Sequence, residues 1–204
     1  MKIYDMNDGI ALVRSARNAI ELHQTMANFR NEVIERQISR FDDEMGVFVT
    51  IEHYPTRTLR GRMGFPTPHN TLKHMLVEAA ISAATEDPRF VPVSHMEFDE
   101  MLIEINLLSK PELIESRKIA DIKNSIKVGR DGLMIKYGYN SSLILPAVAI
   151  EKQWSAEEFL RNVCVDAGLP EHAWKNRSAR LYRFRSQAFR EFSPRGPVEE
   201  IIFE

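Results

Sequence analysis

Cysteine is nearly absent from this chain: Cys164 stands alone among 204 residues. No disulfide can form within the chain, which suits a reducing compartment. Long apolar runs are missing too, and no stretch approaches the roughly 20 residues that span a bilayer. Near the start, Asp5, Asp8, Arg14 and Arg17 interrupt what a secretory signal would need as its apolar core. The expectation is a cytoplasmic protein with no membrane association. An excess of one charge sign is also lacking, since 27 Lys and Arg against 29 Asp and Glu leave a formal net charge of -2. Non-specific nucleic-acid binding needs a strong positive field, so that class is disfavoured while a local basic patch stays open.

Motifs for the common cofactors are absent as well. Gly61 and Gly64 are three apart, with no Lys-Ser or Lys-Thr pair after them, so no phosphate-binding loop is present. No glycine pair follows a strand and opens a helix in the dinucleotide manner. The histidines are His23, His53, His69, His74, His95 and His172; none are four apart on a helix and none sits in a zinc-protease pattern. No serine occupies a nucleophile elbow. The sequence therefore names no cofactor and no metal. Cys164 lies between Val163 and Val165 in a predicted amphipathic helix. It reads as a buried structural cysteine, because a reactive thiol needs exposure and a positive neighbour.

What is present is an ordinary globular composition, 44% apolar and 27% charged. The length suits one domain, with one lobe or two, able to bury about 70% of its surface. Helical periodicity runs from Asp8 to His23, with Asn7 or Asp8 as cap, and again from Met26 to Ile38. The segment Gly46 to Glu52 is rich in β-branched and aromatic residues and predicts a strand. A turn at Pro55 leads to a second strand, Leu59 to Phe65. Thr71 is placed to cap a helix that Asp87-Pro88 ends. Met101 to Leu108 alternates, with Met101, Ile103, Ile105 and Leu107 on one face and Leu102, Glu104, Asn106 and Leu108 on the other. Arg130-Asp131-Gly132 turns into Leu133 to Ile135, and a short strand, Leu143 to Leu145, closes at Pro146. Ser155 to Glu158 is a capping box, and Gly168 ends the helix it starts. Arg180 to Arg185 alternates basic and apolar residues, as a half-exposed edge strand does, and Pro194, Gly196 and Pro197 mark a loose tail. Together these predict an α+β fold, mostly antiparallel sheet with flanking helices.

Two segments carry candidate chemistry. The run Lys175, Arg177, Arg180, Arg183, Arg185, Arg190 and Arg195 is interleaved with Trp174, Tyr182, Phe184 and Phe189, a mixture able to stack and neutralise single-stranded RNA. The second is Leu59 to Gly64, LRGRMG. On a regular strand Arg60 and Arg62 share a face about 6.6 Å apart. Their repulsion is roughly 2–3 kcal/mol at an effective dielectric of 20, so the sheet must supply carboxylates or bind an anion. Glu52 and Glu104 are the candidate partners, and Gly61 and Gly64 leave room for close approach of backbone or ligand; the alternative to a ligand is an interstrand salt-bridge ladder with a glycine bulge.

The runs LRGRMG, VEAAISAATEDPRFVPV, LIEINLLSKPELI, IKVGRDGLMI, LILPAVAIEKQWSAEEFL and AGLPEHAW, in this order and from about Ile10 to Phe192, resemble the AMMECR family. The resemblance implies an α+β fold with a larger and a smaller lobe and a suspected site in the cleft between them. The family has no established biochemical activity. Its relatives occur fused to, or encoded beside, Memo-like and radical-SAM proteins, which are the implied partners. The family's Arg-Gly-Cys-Ile-Gly motif falls on Arg60, Gly61, Arg62, Met63 and Gly64, so arginine stands where the family has cysteine. The Pro-Arg-Phe element falls on Pro88, Arg89 and Phe90; the Leu-Pro-Gln-Val element falls on Leu145 to Val148, with Ala147 in place of glutamine. Asp166 takes the place of a lysine before the Ala-Gly-Leu run.

Three functions stay open at this level. A cleft lined by Arg60, Gly61, Arg62, Gly64, His69 and Glu104 binds, or transforms, a small anionic ligand. Alternatively the chain is a non-catalytic adaptor for a radical-SAM or Memo-like partner, or it binds RNA through the C-terminal arginines. Arginine at position 62 cannot serve as nucleophile or base near neutral pH, so thiol chemistry at this motif is excluded.

Overall fold

The structure, a computed structural model, describes residues 3–116 and 118–202. The chain divides into two compact units, one comprising residues 3–108 and 187–201, the other residues 109–186 and residue 202. The sheet pairings described below are all antiparallel.

The first unit opens with α1 (Met6–Thr25), two residues longer at each end than the periodicity predicts. Its cap is Asp5, not Asn7 or Asp8: the Asp8 N–H donates to Asp5 Oδ1 at 2.8 Å and the Asp5 N–H returns the bond to Asp8 at 3.4 Å. The predicted second helix shrinks to α2 (Glu32–Gln37), which lacks a side-chain cap and buries only Ile34. A helix with one buried side chain and no cap has little to offset its nucleation cost.

Strands β1 (Gly46–His53) and β2 (Thr58–Phe65) form the expected hairpin, and β3 (Met101–Leu108) pairs with the other edge of β1. Between β2 and β3 lies α3 (Leu72–Thr85). Thr71 stands at its N-cap position without capping it. Instead the Leu72 and Lys73 N–H groups donate to the carbonyls of Asp43 and Phe41 at 2.9 and 3.0 Å. One face of the sheet presents Val47, Val49, Ile51, Ile103, Ile105 and Leu107, all fully buried in a core shared with α1 and α3. Burying such a face favours the ordered unit by about 25 cal/mol per Å2 of apolar surface.

The second unit contains β4 (Glu112–Leu113), α4 (Ile119–Ser125), β5 (Asp131–Tyr137), β6 (Asn140–Ile144), α5 (Pro146–Glu151), α6 (Ala156–Asp166) and the first part of β7 (Arg180–Glu191). Strand β6 ends at Ile144, just before Pro146, and Pro146 then starts α5 at the first helical position, where its missing N–H costs nothing. The capping box of α6 forms as read: the Glu158 N–H donates to Ser155 Oγ at 3.3 Å and the Ser155 N–H to Glu158 Oε2 at 2.8 Å. Gly168 follows at φ +70°, the left-handed geometry that ends the helix. Strand β7 is not an edge strand. Its first half lies between β4 and β5, and β6 pairs with the far side of β5. Leu133, Ile135 and Leu181 from this sheet join Ile122, Phe159, Leu160 and Val163 in the unit's core.

The last residues of β7, Ala188 to Glu191, return to the first unit and pair with β8 (Val198–Ile201). The segment read as a loose tail is therefore a turn plus a strand.

Candidate functional site

A β-bulge decides the geometry of the LRGRMG segment. Gly61 pairs with Ile51 and Leu59 with Glu52, which leaves Arg60 without an opposite residue. An extra residue breaks the two-residue alternation, so Arg60 and Arg62 do not form the predicted pair on a common face. Arg60 is 8% exposed and binds Glu97 through two bonds, Nε to Oε2 at 2.7 Å and Nη2 to Oε1 at 3.1 Å. Its Nη1 donates to the Val91 carbonyl at 2.9 Å. Glu97 closes a single helical turn, His95–Glu97, as a capping box with Ser94. The Arg60 bonds hold the Glu97 carboxyl below the usual carboxylate range. Glu52, the other predicted partner, pairs instead with Arg57 at 3.2 Å.

The two glycines serve packing. A Cβ on Gly61 would sit 2.2 Å from the Ala83 carbonyl of α3, and one on Gly64 2.2 Å from the Val47 carbonyl. Backbone, not ligand, fills the room they leave. The Pro-Arg-Phe element locks against the same strand. The Arg62 N–H donates to Asp87 Oδ2 at 2.8 Å, and Arg89 grips Asp87 with Nε and Nη2 at 2.9 and 2.7 Å. These bonds, led by Arg89, keep Asp87 ionised to well below the usual range. The Phe90 ring lies under both Arg60 and Arg89, at 5.9 and 5.6 Å.

Arg62 occupies different surroundings. Across the sheet Arg62 pairs with Thr50 and Thr50 with Glu104, so the three stand in one row over β2, β1 and β3. Two strand spacings put the Arg62 and Glu104 backbones about 10 Å apart. The Arg62 guanidinium sits 5.5 Å from the centre of the Phe48 ring, which limits its swing. Burial pushes the Glu104 carboxyl upward; Asn106 opposes this by donating its amide to Oε1 at 2.7 Å, and Arg62 and Arg190 oppose it through charge. Among the described residues no cation lies within ion-pair distance of Glu104. A partly exposed arginine and a carboxyl raised by burial, two strands apart, can hold an anion and move a proton beside it.

His69 lies in the loop between β2 and α3, half exposed, with its ring edge on Phe65 and Nε2 3.3 Å from Glu78. Among the described residues no group of three His, Cys, Asp or Glu is arranged to hold a metal ion. The C-terminal cations are dispersed among carboxylates: Arg183 meets Glu112, Arg190 meets Glu199, and Arg195 meets both Glu21 and Asp99. Cys164 is fully buried in the second unit's core, and burial raises its thiol. Sequence reading missed a buried ion pair, Arg17 with Glu191. Arg17 donates from Nε and Nη2 at 2.7 and 2.5 Å, and also to the Phe98 and Met101 carbonyls. The signal was an arginine on the apolar stripe of α1, beside Val13, Ala16 and Ile20.

The profile of the AMMECR1 family matches residues 13–189. The chain is 42% identical over 200 residues to protein MJ0810 of Methanocaldococcus jannaschii, covering 98% of both chains. It is 43% identical over 193 residues to protein TK0174 of Thermococcus kodakarensis, covering 93% of each. Its fold matches the crystal structure of uncharacterised protein PH0010 from Pyrococcus horikoshii with a TM-score of 0.88, at 39% identity and 97% and 98% coverage of the two chains. Among the described residues no helix is long and apolar enough to cross a membrane.

Proposed function

The chain belongs to the AMMECR1 family, and from that premise we propose that it binds a small anionic ligand on the face of β1, β2 and β3, with Arg62 as the anion contact and Glu104 as the proton-bearing neighbour. The observation that carries this reading is the row Arg62, Thr50, Glu104. It sets a guanidinium fork and a raised carboxyl on either side of a threonine hydroxyl. A guanidinium fork matches the oxygen spacing of a carboxylate or phosphate. Glu104, protonated more readily than a free glutamate, can donate a hydrogen bond to the bound anion or exchange a proton with it. Arg60 takes no part in this reading, because Glu97 and the Val91 carbonyl already occupy its guanidinium.

The test is calorimetric titration with a panel of small carboxylates and phosphate esters. Arg62→Ala should weaken binding of the responsive compound at least tenfold, with a Tm loss smaller than that of Arg60→Ala because its ring contact with Phe48 is weaker than the Arg60–Glu97 pair. Arg60→Ala should do the reverse, lowering Tm while leaving affinity in place. A panel that gives no saturable binding, or an affinity unchanged by Arg62→Ala, overturns the reading.

A further inference from the structure

In the second unit, the core-facing side of the sheet changes character toward one end. Leu133, Ile135 and Leu181 are core residues on that side. Cross-strand register carries the same side onward through Arg183, opposite Leu133, and through Arg185, opposite Asp131. Two arginines thus continue a row that begins as core. Beneath them is a cavity of about 480 Å3, within the range of small-ligand sites. Four cations line it, Lys127, Arg130, Arg183 and Arg185, against two carboxylates, Glu112 and Asp131.

The internal pairings leave part of that charge unmet. Arg130 grips Asp131 with Nε and Nη2, both at 2.7 Å, and the Lys127 backbone N–H adds a third bond to it at 2.9 Å. Burial pushes the Asp131 carboxyl up, but these bonds hold it below its ordinary range. Arg183 meets Glu112 only at 3.4 Å and donates Nη1 to the Ser125 carbonyl at the end of α4 at 3.0 Å. Among the described residues the side chains of Lys127 and Arg185 have no hydrogen bond or ion pair. The lining is mostly polar; Phe184, its one aromatic, is 2% exposed and offers no open ring to stack a base. Asn124 adds an amide to the wall.

We propose that this cavity is a second binding site, for a small ligand carrying a phosphate or pyrophosphate group with at least two negative charges. Two free cations set the charge of the ligand. Polar walls and the buried ring favour a phosphorylated polar molecule over a nucleobase held by stacking. The site stands apart from the Arg62 reading, since its residues belong to the other unit.

The probe is inorganic pyrophosphate, titrated into the full chain at low salt. The expected result is one saturable site whose affinity falls at least tenfold in the double variant Lys127→Ala, Arg185→Ala. That variant removes no internal bond, so its Tm and circular dichroism should match wild type. Arg62→Ala should leave pyrophosphate affinity unchanged, which separates this site from the first. Absence of saturable binding at millimolar pyrophosphate overturns the proposal, as does an affinity unchanged by the double substitution. A single-stranded RNA that binds more tightly than pyrophosphate, and loses that binding in the same variant, overturns it in favour of a nucleic-acid surface.

Discussion

Arg60 and Glu97, 37 positions apart in sequence, share two hydrogen bonds of 2.7 and 3.1 Å. The bulge that frees Arg60 from the β2 alternation lets it reach this carboxylate. Replacing Arg60 with alanine removes the guanidinium from Glu97, which is one-quarter exposed and keeps the Ser94 N–H bond at 2.8 Å. The expected cost is about 2–3 kcal/mol, below the full penalty of a buried orphan charge because water reaches part of Glu97. The sign with pH follows from the lowered Glu97 carboxyl. Its stabilisation is present above the ordinary glutamate range and is lost as pH falls through the folded value. Urea midpoints taken between pH 7 and pH 3 should therefore decline more steeply in wild type than in Arg60→Ala; parallel curves would refute the pairing.

Gly61 and Gly138 separate two reasons for glycine. Gly138 has φ +61° with open space around its missing side chain. Gly138→Ala should cost about 1 kcal/mol, from backbone conformation alone. Gly61 has no positive φ, but an added Cβ would lie 2.2 Å from the Ala83 carbonyl. A backbone atom in the last turn of α3 cannot swing aside as a side chain can. Gly61→Ala should cost about 3 kcal/mol or more. Thermal unfolding of the two variants in parallel checks the ranking, and equal Tm losses would remove the packing account.

Legibility in sequence followed the range of the interactions involved. Strand β3 was readable because its alternation is local, although its second face is buried too, at Leu102, Asn106 and Leu108. The Ser155 box closes within four residues and was equally plain. A bulge at the glycines was legible as the structural alternative, but that it leaves Arg60 without an opposite residue was not, because register exists only relative to a partner strand. Arg17 looked like an interruption of an apolar run, since its partner Glu191 is 174 positions away. The basic alternation of Arg180 to Arg185 suggested an edge, yet β4 and β5 flank it. Of the six candidate site residues, Gly61 and Gly64 serve backbone packing, Arg60 braces a turn, and His69 pairs with Glu78. Arg62 stands in one row with Glu104 across β2, β1 and β3, with its guanidinium over the Phe48 ring.

The Arg17–Glu191 pair is 3% and 1% exposed. Glu191 also accepts from the Ile103 N–H at 3.0 Å, so it ties α1, β3 and β7 together. Glu191→Ala leaves the buried Arg17 guanidinium with Glu21 as its remaining carboxylate, at 3.1 Å, and should cost about 3 kcal/mol. Glu191→Gln keeps the oxygen acceptor and should cost less. Equilibrium unfolding of both variants tests this; equal losses would mean the charge itself contributes nothing.

Cys164 is fully buried, and burial raises its thiol. Thiolate is the reacting form, so both access and ionisation oppose modification. Ellman's reagent at pH 8 should leave the folded protein untouched over minutes and titrate one thiol in guanidinium. Rapid reaction of the folded chain would contradict the packing of α6.

Glu104 offers the sharpest pH test because its shift runs opposite to that of Glu97. Burial raises its carboxyl above the ordinary value of about 4.3. Between the unfolded and folded values the native state holds a proton that the unfolded chain has released. Stability therefore falls as pH rises through that window, and the full penalty applies above it. Glu104→Gln removes the penalty while keeping an oxygen for Asn106, so its advantage over wild type should grow as pH rises from 4 and then level off. The same titration bears on ligand binding. An anion held by Arg62 beside Glu104 disfavours a second negative charge, so wild-type affinity should decline as Glu104 ionises. In Glu104→Gln that decline should vanish. A wild-type affinity that stays flat across the window would show that the bound anion does not sit beside Glu104.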